Sequence, residues 1–164
     1  MRQTTQAVAG ATMVGIAIPP EVSFDPYHTT TMGPHISLMS AGWVAQPTTD
    51  AIVRALRMLA TTLQPFEAVL GGLGHFHPPD RSVAYVHILS PAVLDLHAQV
   101  AEALAVLNIT GTSKAPNFVP HATVATMPRQ TCWAGPVPSG SFTARALTVW
   151  RGSQTWTIDF GPGR

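Results

Sequence analysis

With 164 residues, 46% apolar and only 10% charged, the chain is too apolar for a disordered segment and long enough to bury one substantial core. Nine Lys and Arg against eight Asp and Glu leave a formal charge of +1, which excludes the basic footprint needed to hold a long nucleic acid. The lone cysteine, Cys132, excludes a disulfide framework and gives no reason to invoke an oxidising compartment.

Taken in order, the first feature is an apolar run from Ala7 to Ile18 behind Arg2. Its weak basic start, its Gly and Thr content and the lack of a small-residue cleavage site set it apart from a signal peptide. It reads as a core strand over 13–18, stopped by Pro19-Pro20. Residues 21–33 form a polar, turn-rich loop containing Tyr27 and His28. The loop delivers Pro34-His35-Ile36-Ser37-Leu38, a strand over 34–39 that ends near Gly42-Trp43.

Thr48-Thr49-Asp50 reads as a helix N-cap cluster. Behind it Ile52, Leu56, Leu59 and Leu63 repeat at helical spacing, while Arg54 and Arg57 fall on the solvated side. Residues 66–73 read as a buried strand, 74–81 as a turn and 82–89 as a second strand, together a hairpin. Ser90-Pro91 opens a second helix with a capping serine and a proline in the first turn. Its apolar stripe is Val93, Leu96, Val100, Leu104 and Leu107.

A loop over 108–117 leads to Pro120-His121-Ala122-Thr123-Val124, an echo of the earlier pentapeptide. Residues 127–141 are a Pro- and Gly-rich excursion that suits a connection or a lid. Strands over 142–150 and 155–160 close the chain around Arg151-Gly152-Ser153. The order predicts an α+β domain spanning residues 1–164, each half carrying one helix, several strands and one copy of the motif. No apolar stretch approaches the roughly 20 residues that span a bilayer. The expectation is a soluble, cytoplasmic monomer with no membrane contact, in which the Asn108-Ile109-Thr110 sequon is idle.

Both pentapeptides read Pro-His-apolar-hydroxyl-apolar. Side chains alternate faces along a strand, so each copy offers an imidazole and a hydroxyl on one side and anchors itself through the other. Set side by side, the two strands would build a site of two histidines and two hydroxyls. Such a site suits acid–base chemistry at a phosphodiester: one imidazole takes a proton from the attacking group and the other gives one to the leaving oxygen. Ser37 and Thr123 would hold the non-bridging oxygens. No cofactor or metal is required by that layout. A metal alternative rests on His75, His77 and His87, but Pro78-Pro79 follows directly, Asp80 is the only nearby acid, and three histidines fall short of a closed structural site. Tyr27, His28 and Trp43 flank the first motif and are candidates to stack on a base.

The paired motifs His35-Ile36-Ser37-Leu38 and His121-Ala122-Thr123-Val124 resemble those of the 2H phosphoesterase superfamily, which includes 2′,5′-RNA ligase/2′,3′-cyclic phosphodiesterase proteins and phage enzymes acting on cyclic oligonucleotides. The resemblance extends to Gly15-Ile16-Ala17-Ile18-Pro19, to Gly42, to Leu70-Gly71-Gly72-Leu73-Gly74-His75-Phe76 and to Phe118-Val119-Pro120, covering roughly residues 13–160. It implies a bilobal fold, two pseudo-symmetric lobes of antiparallel sheet with a helix outside each and a cleft between. It also implies His35 and His121 as general acid and base, in an order left open, with Ser37 and Thr123 on the phosphate. Ser37 stands where Thr is commoner, and Thr126 stands where an arginine is often found, the nearest arginine being Arg129. The expected partner is a small cyclic nucleotide or a short RNA end. A binding module on the same fold and an RNA ligase are the alternatives.

Overall fold

The computed structural model describes residues 9–24, 32–110 and 118–162. Its strands are β1 (Ala9–Ala17), β2 (His35–Ala45), β3 (Phe66–Phe76), β4 (Ser82–Ile88), β5 (His121–Met127), β6 (Ser141–Ala144), β7 (Ala146–Arg151) and β8 (Gln154–Asp159), with helices α1 (Gln46–Ala60) and α2 (Pro91–Ala105). The strands form one sheet in the order β6-β3-β4-β5-β2-β1-β7-β8, antiparallel at every junction. This is the expected α+β fold, among the described residues a curled antiparallel sheet with two helices. The motif strands β2 and β5 are its central neighbours, joined at Ile36 opposite Ala122. Each leads one lobe, β2-β1-β7-β8 on one side and β5-β4-β3-β6 on the other.

β6 and β7 sit in different lobes although only Arg145 separates them. A chain covers at most about 3.6 Å per residue, so the sheet must curl until those strands approach each other. This corrects the single strand expected over 142–150. The Phe160 N–H reaches the Arg145 carbonyl at 2.8 Å and secures the corner.

The core lies behind the sheet. Val14, Ile16, Ile36, Leu38, Val86 and Ala122 meet Ile52 and Leu56 of α1 and Val93, Val100 and Leu104 of α2, all at or below 1% exposure. Burying an aliphatic side chain of this size stabilises by roughly 1.5–3 kcal/mol, so the motif strands are anchored through their apolar residues. Arg54 and Arg57 face solvent.

Several boundaries differ from expectation. The first helix begins before the proposed cap: Ala45 is the N-cap and Pro47 lies in the first turn. Thr49 is buried and pairs its hydroxyl with Thr12 at 2.9 Å, so tertiary packing takes a residue suited to capping. Ser90 stands at the N-cap of α2 but does not cap it. Its hydroxyl donates to the Glu67 carbonyl at 2.8 Å and accepts from the Val69 N–H at 3.2 Å, tying the helix start to β3. Strand β3 runs on through Phe76 and β2 through Ala45. Among the described residues no helix is long and apolar enough to cross a membrane.

Candidate active site

Ile36 opposite Ala122 sets the register at the centre of the sheet. Continuing that antiparallel register places His35 across from Thr123 and Ser37 across from His121, all four on the face away from the core. Diagonal neighbours in such a pair lie about 7–8 Å apart. The two imidazoles therefore flank a gap floored by the two hydroxyls. The proximity is felt electrostatically, since His35 is among the groups that lower the pKa of His121.

Each ring is oriented the same way. His35 Nδ1 lies 2.7 Å from the Gly33 carbonyl, and His121 Nδ1 lies 2.6 Å from the Val119 carbonyl. A carbonyl oxygen only accepts, so Nδ1 carries the proton in both rings and Nε2 is the atom left to the cleft. Burial holds both imidazoles below the ordinary histidine value of 6.5, against the opposing pull of these carbonyl bonds. His121 is lowered further by His35 and His87.

Immediately after each motif the ladder slips. Gly15 pairs with Ser37 and Val14 with Met39, leaving Leu38 over; Tyr85 pairs with Thr123 and Ala84 with Ala125, leaving Val124 over. These bulges make Leu38 and Met39 both buried, and likewise Val124 and Ala125. The next hydroxyls, Ser40 and Thr126, are thereby turned to the histidine face, with Ser40 opposite Met13 and Thr126 opposite Val83. Strict alternation assigns that face to Met39 and Ala125. The signal was present in the sequence: the echo runs on as Leu-Met-Ser and Val-Ala-Thr.

The freed Leu38 carbonyl is met by His97 of α2, whose Nδ1 lies 2.8 Å away. His97 is buried and stacks on Phe118 at 3.8 Å and 7°. One helix side chain thus braces the bulge after the first motif and the approach to the second. The sequence reading passed over it because it sits within an apolar stripe.

Aromatic groups wall the site on both sides. Trp150 lies 5.1 Å from the His35 ring, while Phe76 and Tyr85 lie 5.1 and 5.2 Å from His121. Glycines admit these rings. A Cβ on Gly15 would stand 2.3 Å from the Ile36 carbonyl oxygen and 3.1 Å from Trp150; one on Gly74 would stand 2.5 Å from the Tyr85 ring. His87 pairs with His121 across β4 and β5, so it belongs to this face.

The other expected residues fall elsewhere. Trp43 is 74% exposed at the far end of β2, apart from the four central groups, because two irregularities and a long strand intervene. Tyr27 and His28 lie outside the described residues. His75 accepts the Trp133 N–H at 3.0 Å and His77 meets the Ser82 hydroxyl at 3.1 Å. Ser82 in turn accepts from the Thr131 N–H at 3.3 Å, so this pair fastens the Pro-rich segment to the end of the second lobe. Among the described residues no group of three or more His, Cys, Asp or Glu side chains is placed to hold a metal ion. Arg129 is exposed beyond the end of β5. Arg151 is turned to the other face, donating to Gln46 Oε1 at 2.6 Å.

Comparison with known proteins bears on the fold and the family. No curated protein sequence matches the chain significantly. Among solved structures, TT0787 of Thermus thermophilus superposes with a TM-score of 0.67 at 16% identity, covering 92% of this chain and 98% of its own. E. coli LigT complexed with 3′-AMP gives 0.60 at 17%, covering 93% and 95%, and Kluyveromyces marxianus Usb1 gives 0.58 at 13%, covering 93% and 98%. At these identities the likeness is one of fold. The family model of the 2′-5′ RNA ligase superfamily matches residues 6–156. That match spans both motif strands and nearly all of the sheet they centre, and it places the chain in the 2′-5′ RNA ligase superfamily, the 2H phosphoesterases.

Proposed function

We propose that the protein is a phosphodiesterase that hydrolyses a small nucleotide phosphodiester, a 2′,3′-cyclic phosphate end or a cyclic di- or oligonucleotide, by acid–base catalysis between His35 and His121. The observation that carries the reading is the mirrored pair of imidazoles, each locked by a carbonyl at Nδ1 and leaving Nε2 to a shared gap. One neutral Nε2 takes a proton from water as its oxygen bonds to phosphorus. The other ring, protonated, gives its proton to the ester oxygen as the P–O bond breaks. The Ser37 and Thr123 hydroxyls donate to the non-bridging oxygens, whose charge grows as the attack proceeds. Ser40 and Thr126 extend that row of donors at either end.

The histidine face suits a single negative charge. Along its central rows, Ala17-His35-Thr123-Tyr85-Gly74 and Gly15-Ser37-His121-His87, no Lys or Arg stands ready to neutralise a polyphosphate, and one imidazolium balances one diester anion. Both proton transfers are supplied by protein groups, so the proposed reaction needs no metal. LigT, a protein of the same fold, has been crystallised with 3′-AMP, phosphate, ATP and NADP+, which supports a nucleotide ligand.

The test is turnover of a panel of cyclic nucleotides, read by mass, with EDTA present. Conversion to the phosphomonoester that is lost in both His35→Ala and His121→Ala is the expected result. Activity abolished by EDTA, or kept by both variants, overturns the proposal. A cyclic nucleotide bound and recovered intact would instead identify a binding module.

A further inference from the structure

Resting on the phosphodiesterase reading, we infer that a pocket on the His35 side of the cleft receives the nucleoside attached to the reacting phosphate, so that nucleoside recognition is one-sided. The pocket has a volume of about 600 Å³ and is lined by Ala17, Thr148, Trp150, Ser153, Thr155 and Thr157 among others, within the usual range of roughly 300–1,000 Å³ for small-molecule sites.

Its position follows from the register. Ala17 is the β1 neighbour of His35, and Thr148 is the β7 neighbour of Gly15, which itself faces Ser37. Thr148 pairs with Thr157 and Trp150 with Thr155 across β7 and β8, which puts three threonine hydroxyls and the indole on one face. Trp150 separates the pocket from the His35 ring at 5.1 Å. The pocket thus adjoins the His35 side of the site, with Trp150 as the wall between.

Its chemistry is that of a neutral ligand. Among the described residues none that lines it is ionisable, so its hydroxyls offer hydrogen bonds and its indole an apolar edge. A ribose and base match this; a further phosphate does not. The other lobe is built differently at the equivalent place. His87 stands beside His121 where Ala17 stands beside His35, and Phe76 stacks on Tyr85 at 4.2 Å against His121. Among the described residues, rings fill the place that the pocket takes in the first lobe.

The experiment measures binding of adenosine 3′-phosphate and of inorganic phosphate by calorimetry, in the wild type and in Thr155→Phe and Thr157→Phe. Both threonines are exposed, so the added rings enter the pocket without disturbing the core. The wild type should bind the nucleotide at least about tenfold more tightly than phosphate. The variants should lose most of that margin while phosphate affinity stays unchanged. In parallel, the wild type should hydrolyse base-free methyl riboside 2′,3′-cyclic phosphate. A margin that is absent in the wild type, or that survives in both variants, overturns the pocket; if the base-free ester is still hydrolysed, the histidine pair stands. A margin that behaves as expected while no ester of any kind is hydrolysed supports the pocket and overturns the catalytic reading.

Discussion

The two sides of the site share a motif layout and differ in their surroundings. His35 and His121 have the same carbonyl brace, the same hydroxyl two places on and the same bulge after it. Beyond that the symmetry stops. His35 has Ala17 and an open pocket beside it; His121 has His87 and a packed aromatic cluster. On the proposed function, the repeated part would handle the phosphate, which is itself nearly symmetric, and the divergent part what is attached to it.

The largest expected effects test the shared part. His35→Ala and His121→Ala should each lower kcat by about 10²–10⁴-fold, the range for removing a general acid or base, with similar losses for the two. A loss confined to one variant would break the equivalence of the sides. Next, Ser37→Ala and Thr123→Val should each reduce kcat by about 10²-fold with little change in KM, because their donation strengthens in the transition state. A rise in KM alone would make them ground-state contacts.

The glycines sharpen the contrast through stability. In Gly15→Ala the new methyl meets the Ile36 backbone oxygen, which cannot move without parting β1 from β2. In Gly74→Ala it meets the Tyr85 ring, a side chain able to shift. Thermal or denaturant unfolding should show Gly15→Ala losing roughly 1–3 kcal/mol and Gly74→Ala less, the latter disturbing the packing against His121 instead. Equal losses would show that the backbone clash at Gly15 is relieved as readily as the side-chain clash at Gly74.

The smallest effect concerns pH. His87 lowers the pKa of His121 by charge repulsion, so His87→Ala should raise it. In kcat/KM against pH, the limb belonging to His121 should move to higher pH while the His35 limb stays. If neither limb moves, His87 has no electrical role in the site.

The shared face of His35, Ser37, His121 and Thr123 was legible in the sequence because period-two alternation is a local rule. The same rule failed one step later. A bulge inserts an unpaired residue, so Ser40 and Thr126 replace Met39 and Ala125 on that face. A one-residue slip of this kind is set by the partner strand and not by propensity. The division of residues 142–150 between lobes was hidden for a related reason: β6 answers to β3 and β7 to β1, and only those distant pairings place the break at Arg145. His97 was missed because a buried polar partner on a helix looks like part of its apolar stripe until the carbonyl it satisfies is known.

The most direct test of proton exchange between the two imidazoles is the pH dependence of kcat/KM for a 2′,3′-cyclic nucleotide in the wild type and in each histidine variant. The wild type should give a bell displaced to the acid side of ordinary histidine, because burial lowers both groups. Removing the base should leave only the alkaline fall and removing the acid only the acidic one, which also identifies the two roles. A bell that persists unchanged in the residual activity of either variant would contradict the account.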